Sequence, residues 1–179
     1  MIRRVTIRHH TFMRIFTNPR QASHHPRDEI FRGNRVPCFE TPSRAMFVEQ
    51  ALRARGHVLH APDVDSAVVL GKVHAARYLE FLRSAWDQWL ALGAANADEQ
   101  PFPSAWPVRT LRSDIEPQNF TARLGLYSMD NGSPLCAGTW AAAKAGADAA
   151  ASAAQALLKG ERSGFCATRP PGHHAGADF

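Results

Sequence analysis

An alanine-rich stretch from Thr139 to Leu158 stops at Gly160 and leads into the apolar, strand-like segment Phe165-Cys166-Ala167-Thr168. Alanine is the strongest helix former, and glycine ends helices readily. A long helix feeding a buried strand predicts the crossover unit of an α/β fold with a parallel sheet. The rest of the chain follows the same alternation. Met13-Arg14-Ile15-Phe16-Thr17 reads as a first strand, and residues 18–37 as a turn-rich polar loop. A helix then opens with Thr41 as its cap and Pro42 in its first position. Ala45, Val48, Ala51 and Leu52 give it one apolar face, and Gly56 closes it. Residues 57–62 read as a short second strand, in which His57 and His60 fall on opposite faces and make no joint metal site. Asp65 or Ser66 caps a short helix to Val73, and a longer one runs through Leu92 to Gly93. Tyr78, Leu79, Leu82, Ala85, Trp86, Trp89 and Leu90 recur along the longer helix at the spacing of a core stripe. Residues 94–134, with four scattered prolines at Pro101, Pro103, Pro107 and Pro117, read as a long irregular insertion.

Composition narrows the classes of function. The formal charge is +5, yet Arg3, Arg4 and Arg8 account for three of those charges, so residues 13–179 carry +2. That is an ordinary surface balance, and the remaining arginines are not interleaved with aromatics, so a nucleic-acid partner is not expected. Residues 1–12 are read as an extension to the domain. The chain has no apolar run able to span a bilayer, and its first residues lack the apolar core of a secretory signal. A cytoplasmic location without a membrane partner is the resulting expectation. Cys38, Cys136 and Cys166 are odd in number and widely spaced, which fits buried apolar side chains better than disulfides or a cysteine metal site.

The chemistry is concentrated in Arg169-Pro170-Pro171-Gly172-His173-His174-Ala175, directly after the last strand-like segment. In extended chain, neighbouring side chains point to opposite faces, so two successive imidazoles address one cavity only if the backbone bends between them. Proline fixes φ and glycine permits turns that other residues resist. The other tandem histidines, His9-His10 and His24-His25, lack such a frame and read as solvated polar side chains.

This run resembles the tandem-histidine motif of the histone deacetylase and acetylpolyamine amidohydrolase family. Collinear segments extend the likeness over residues 13–179: the run from Pro37 to Ala45, Val73-His74, Trp106-Pro107-Val108-Arg109, Asp114-Ile115-Glu116, Leu124 to Ser128 and Ala137-Gly138-Thr139-Trp140. The resemblance implies the arginase/deacetylase α/β fold, three-layered around a mostly parallel sheet and here cut after the histidine loop. It implies a zinc-dependent amide hydrolase acting on acetylated polyamines or similar acetylated amines, with acetyl-lysine proteins as another substrate class. His174 would act as general base and then acid, while His173 supplies charge and a hydrogen bond.

By the same resemblance the His24-His25-Pro26 loop approaches the pocket mouth, and Glu29 and Phe31 occupy substrate-binding positions, although the closest pattern has tyrosine where Phe31 stands. Glu116 matches a carboxylate that reaches a distal substrate amine across a dimer; a solvated surface carboxylate is its other reading. A homodimer through residues 94–134 is the expected assembly. The family's zinc ligands and catalytic tyrosine fall beyond Phe179, so zinc belongs to the complete enzyme. No metal ligand is expected within this chain, Asp178 included. The 179 residues alone are therefore expected to be inactive. The rival reading is a non-catalytic interaction or dimerisation fragment, or a gene remnant.

Overall fold

The computed structural model describes residues 13–108, 110, 114–132 and 134–179. The expected extension, residues 1–12, lies outside them. Three parallel strands form the central sheet: β1 (Arg14–Thr17) in the middle, β4 (Leu59–His60) on one side and β5 (Gly164–Ala167) on the other. Ile15 is in register with both Leu59 and Phe165. Parallel neighbours require crossover connections, and the helices α1 (Ser43–Ala54) and α5 (Thr139–Leu158) lie on those connections.

Helix α5 packs on β1 and β5. Phe16 meets Ala149, Ala153 and Ala156 of α5 in a buried cluster that Cys166 joins. Alanines allow the helix axis to approach the sheet closely, and at Gly146 the approach is closer still. A Cβ there would lie 2.8 Å from Thr168 Oγ1. Ile15 and Phe16 point to opposite faces of β1 and both are almost fully buried, so the central strand is covered on each side.

A second core forms where α3 (Ala76–Ala91) meets α4 (Phe120–Leu126), with α2 (Ala67–Val73) preceding α3. Phe81 and Ala85 of α3 pack against Phe120, Leu124, Leu126 and Tyr127, with Tyr78 and Trp89 at the margin. Of the stripe expected on α3, Ala85 is buried and Tyr78, Leu79, Leu82, Trp86 and Trp89 are half-buried, while Leu90 is exposed and the buried Phe81 was not part of it. The stretch 94–134 is less irregular than its prolines suggested, because it contains α4. Asn119 starts that helix by accepting from the backbone N–H groups of Thr121 and Ala122 at 2.9 and 3.2 Å. A Cβ on Gly125 would stand 1.8 Å from the Ala105 carbonyl oxygen, so the Pro-rich segment lies directly on the helix.

Three further expectations are corrected. Residues 18–37 are not loop throughout: β2 (Asp28–Phe31) and β3 (Asn34–Pro37) pair antiparallel, with Phe31 opposite Asn34. The turn is Arg32-Gly33, both at positive φ, 51° and 80°. That is the two-residue hairpin turn usually signalled by Asn-Gly or Asp-Gly, and arginine in its first position hides the signal. On α1, Ala45 is buried and Leu52 half-buried, while Val48 and Ala51 are exposed, because the helix meets the sheet along a narrow contact with β5. Thr41 does not cap this helix with its side chain; its hydroxyl lies 2.7 Å from that of Ser43. Among the described residues no helix is long and apolar enough to cross a membrane.

Candidate active site

Strand β5 runs out through Thr168 into the histidine loop, and Arg169 is where the loop is anchored. Its side chain is 3% exposed. The guanidinium donates to the Glu40 carboxylate at 2.8 Å, and to the carbonyl oxygens of His24 and Glu40 at 2.7 and 3.0 Å; the Gln21 carbonyl accepts as well. A planar fork with five donors suits this arrangement of acceptors, which one ammonium could not satisfy. The Arg169 carbonyl in turn accepts from the Asn18 amide at 2.6 Å, and the same amide donates to Ala142 of α5 at 2.8 Å. The end of β1, the start of α5 and the base of the loop are thereby joined.

Beyond this anchor the Arg169–Pro170 bond is cis, and the Ala175 N–H closes a turn onto the Gly172 carbonyl at 3.0 Å. The turn brings the rings of His173 and His174 side by side, with centroids 4.1 Å apart and planes inclined at 49°. Both line a single cavity of about 320 Å³ formed with α3, α4 and α5. The bend that two successive imidazoles require is therefore present. Both histidines are exposed, and among the described residues no carboxylate bonds either ring.

The segment that follows is held at the α2–α3 junction. His74 Nδ1 is 2.8 Å from the Gly176 carbonyl, the Ala75 N–H donates to Ala177 at 2.7 Å, and Arg77 pairs with Asp178 at 3.1 Å. Asp178 thus serves an ion pair. His74 had no distinguishing signal beyond its place in a family-like segment, since its partner lies about a hundred residues away.

His24 departs from the expectation of a solvated side chain. It is 3% exposed, lines the same cavity, and its Nδ1 lies 3.0 Å from the Thr139 hydroxyl at the start of α5. Gly138 makes this possible, because a Cβ there would stand 2.1 Å from the Ser23 carbonyl oxygen. Burial above all, then the charges of Arg169 and His25, lowers the imidazole from 6.5 to about 4. Between those values the unfolded chain binds a proton that the folded chain refuses, so this group's contribution to stability is complete above pH 6.5. It is lost as the pH falls towards 4. At about 1.4 kcal/mol per pH unit, acidification from pH 7 to 5 is expected to cost about 2 kcal/mol through His24. Urea unfolding of the protein and of His24→Gln at both pH values checks this, and an equal acid sensitivity in the variant would refute it.

The positions expected to bind substrate lie elsewhere. Glu29 is 7% exposed and accepts from the Phe39 N–H at 3.1 Å. Phe31 sits at the hairpin end, 46% exposed, edge-on to Phe39 at 5.7 Å. Glu116 stands 3.9 Å from Arg123, and burial together with the Glu116 carboxylate pushes the Tyr127 hydroxyl up to about 12. None of Glu29, Phe31 and Glu116 lines the cavity of the histidine pair. Cys38 is buried, and burial followed by Glu29 pushes its thiol up to about 12, which fits an inert apolar role.

A catalytic zinc site takes three protein ligands from nitrogen, oxygen or sulfur donors. Among the described residues no group of three His, Cys, Asp or Glu side chains stands close enough to hold a metal ion. The side chains present do not make such a site by themselves.

The parallel α/β sheet thus leads from β5 into a proline-framed histidine pair. The chain belongs to the histone deacetylase domain family, whose model matches residues 38–178. It is 43% identical over 157 residues to acetylpolyamine amidohydrolase 2 of Pseudomonas aeruginosa, covering 87% of this chain and 44% of that protein. The acetylpolyamine amidohydrolase of Mycoplana ramosa is 32% identical over 168 residues, covering 93% and 48% of the two chains. In three dimensions the chain superposes on the crystal structure of acetylpolyamine aminohydrolase from Burkholderia pseudomallei with a TM-score of 0.79 and 29% identity, over 93% of this chain and 47% of the other. The chain therefore spans less than half the length of the curated relatives it matches.

Proposed function

We propose that this chain forms the histidine-pair side of an amide hydrolase that removes acetyl groups from acetylated polyamines or similar acetylated amines in the cytoplasm. The observation that carries the reading is the pair of adjacent imidazoles on the wall of one largely apolar cavity, presented by a buried arginine anchor. Amide hydrolysis needs a proton taken from attacking water and a proton delivered to a poor amine leaving group. A neutral imidazole at His174 does the first and its protonated form the second. The adjacent His173 contributes a hydrogen-bond donor and, when protonated, positive charge near the developing oxyanion.

Zinc dependence is part of the reading, with the metal's ligands outside the described residues. Among the described residues the histidine rings touch each other but no orienting carboxylate, so the 179 residues alone are expected to be inactive. Glu116 retains a role only towards the pocket of a second copy, through a dimer built on residues 94–134; Glu29 and Phe31 would act at the rim.

The test is acetate release by a full-length polypeptide, these 179 residues joined to the second half of an acetylpolyamine amidohydrolase relative, from three substrates: N-acetyl-1,4-diaminobutane, N-acetylbutylamine and an acetyl-lysine peptide. The acetylated diamine is expected to have the highest kcat/KM. A higher value for the peptide would transfer the protein to the acetyl-lysine class, and no release from any substrate would end the hydrolase reading.

A further inference from the structure

We propose that Asp130 is the anionic subsite of the histidine cavity, taking the free ammonium of an alkyl amine whose other end lies at His173 and His174. Apart from histidines, the charged side chains on the cavity wall among the described residues are Asp130 and Lys144. Lys144 is neutralised locally, with its Nζ 2.6 Å from Asp65 and 2.6 Å from Asp148. Asp130 has no ion-pair partner among the described residues. Its Oδ1 accepts from the Gly132 N–H at 2.8 Å, which orients the carboxylate and leaves Oδ2 for a ligand.

The loop bearing it is held at both ends. Trp106 Nε1 donates to the Ser128 hydroxyl at 3.1 Å, and the Ile30 N–H donates to the Asn131 carbonyl at 3.2 Å. Leu82, Leu124 and Leu135 supply an apolar wall in the same cavity. A methylene chain suits that wall and an ammonium suits the carboxylate, so the ligand class is a diamine or polyamine. In a chain of net charge +5 a polycation needs such a local negative field.

The identity of the substrate rests on the deacetylase reading, so the experiment separates the two. In the full-length polypeptide, D130N is expected to lower the ratio of kcat/KM for N-acetyl-1,4-diaminobutane over N-acetylbutylamine about three- to fivefold, the scale of an exposed charge pair. D130E should restore part of it. Calorimetric titration with 1,4-diaminobutane should show a matching loss of affinity in D130N. If the wild type hydrolyses neither amide, the deacetylase reading fails, and the titration alone decides for or against Asp130. A ratio or diamine affinity unchanged in D130N, or an equal loss on both substrates, overturns the proposal.

Discussion

Replacing Arg169 by methionine is expected to lower the free energy of unfolding by about 3–5 kcal/mol, the range for breaking one partner out of a buried ion pair. The Glu40 side chain is only 13% exposed and would lose its buried cation, keeping only the exposed guanidinium of Arg44 as a partner. The carbonyls of Gln21, His24 and Glu40 would lose their donor at the same time. Methionine roughly preserves the volume, so the loss reports the polar network and not a cavity. Arg169→Lys should fall between the two, because an ammonium cannot fork across these acceptors. Urea denaturation of the three proteins measures it. A loss below about 1 kcal/mol for methionine, the size of an ordinary substitution, would mean that the network is dispensable for holding the histidine loop.

In the full-length polypeptide, His174→Ala is expected to cost about two to four powers of ten in kcat for acetate release, the usual worth of a positioned general base and acid. His173→Ala should be no more severe, since its role is charge and hydrogen bonding. Both rings are exposed, so neither change should shift unfolding by more than about 0.5 kcal/mol. That separation of activity from stability is the informative part. A rate within tenfold of wild type for His174→Ala would remove it from proton transfer, and a large loss of stability would make it a structural residue.

Local order dictated much of what the sequence shows. Alanine propensity and Gly160 delimit α5 at Thr139–Leu158, and the apolar runs around Ile15-Phe16 and Phe165-Cys166 mark β1 and β5. The Pro-Pro-Gly frame around His173 and His174 is equally local, because the bend depends on backbone geometry within a few residues. Glu29, Phe31 and Glu116 are legible in the sequence as family-like residue types and no further. Their residue types fit substrate binding, but their distance from the cavity depends on how the β2–β3 hairpin and α4 dock.

Only the tertiary structure decided the rest, because the deciding partners are far apart in the chain. His24 looked like a solvated histidine until Thr139, 115 residues on, met it in a buried site. Asn18 carried no signal at all, yet its amide ties Ala142 to Arg169, 124 and 151 residues away. Asp130 differs from the other acidic residues only in the wall it stands on. Propensity and motif act over a few residues and are legible in the sequence. Burial, and the hydrogen bonds it makes obligatory, exist only once the parallel crossovers have closed and water has been displaced from between their elements.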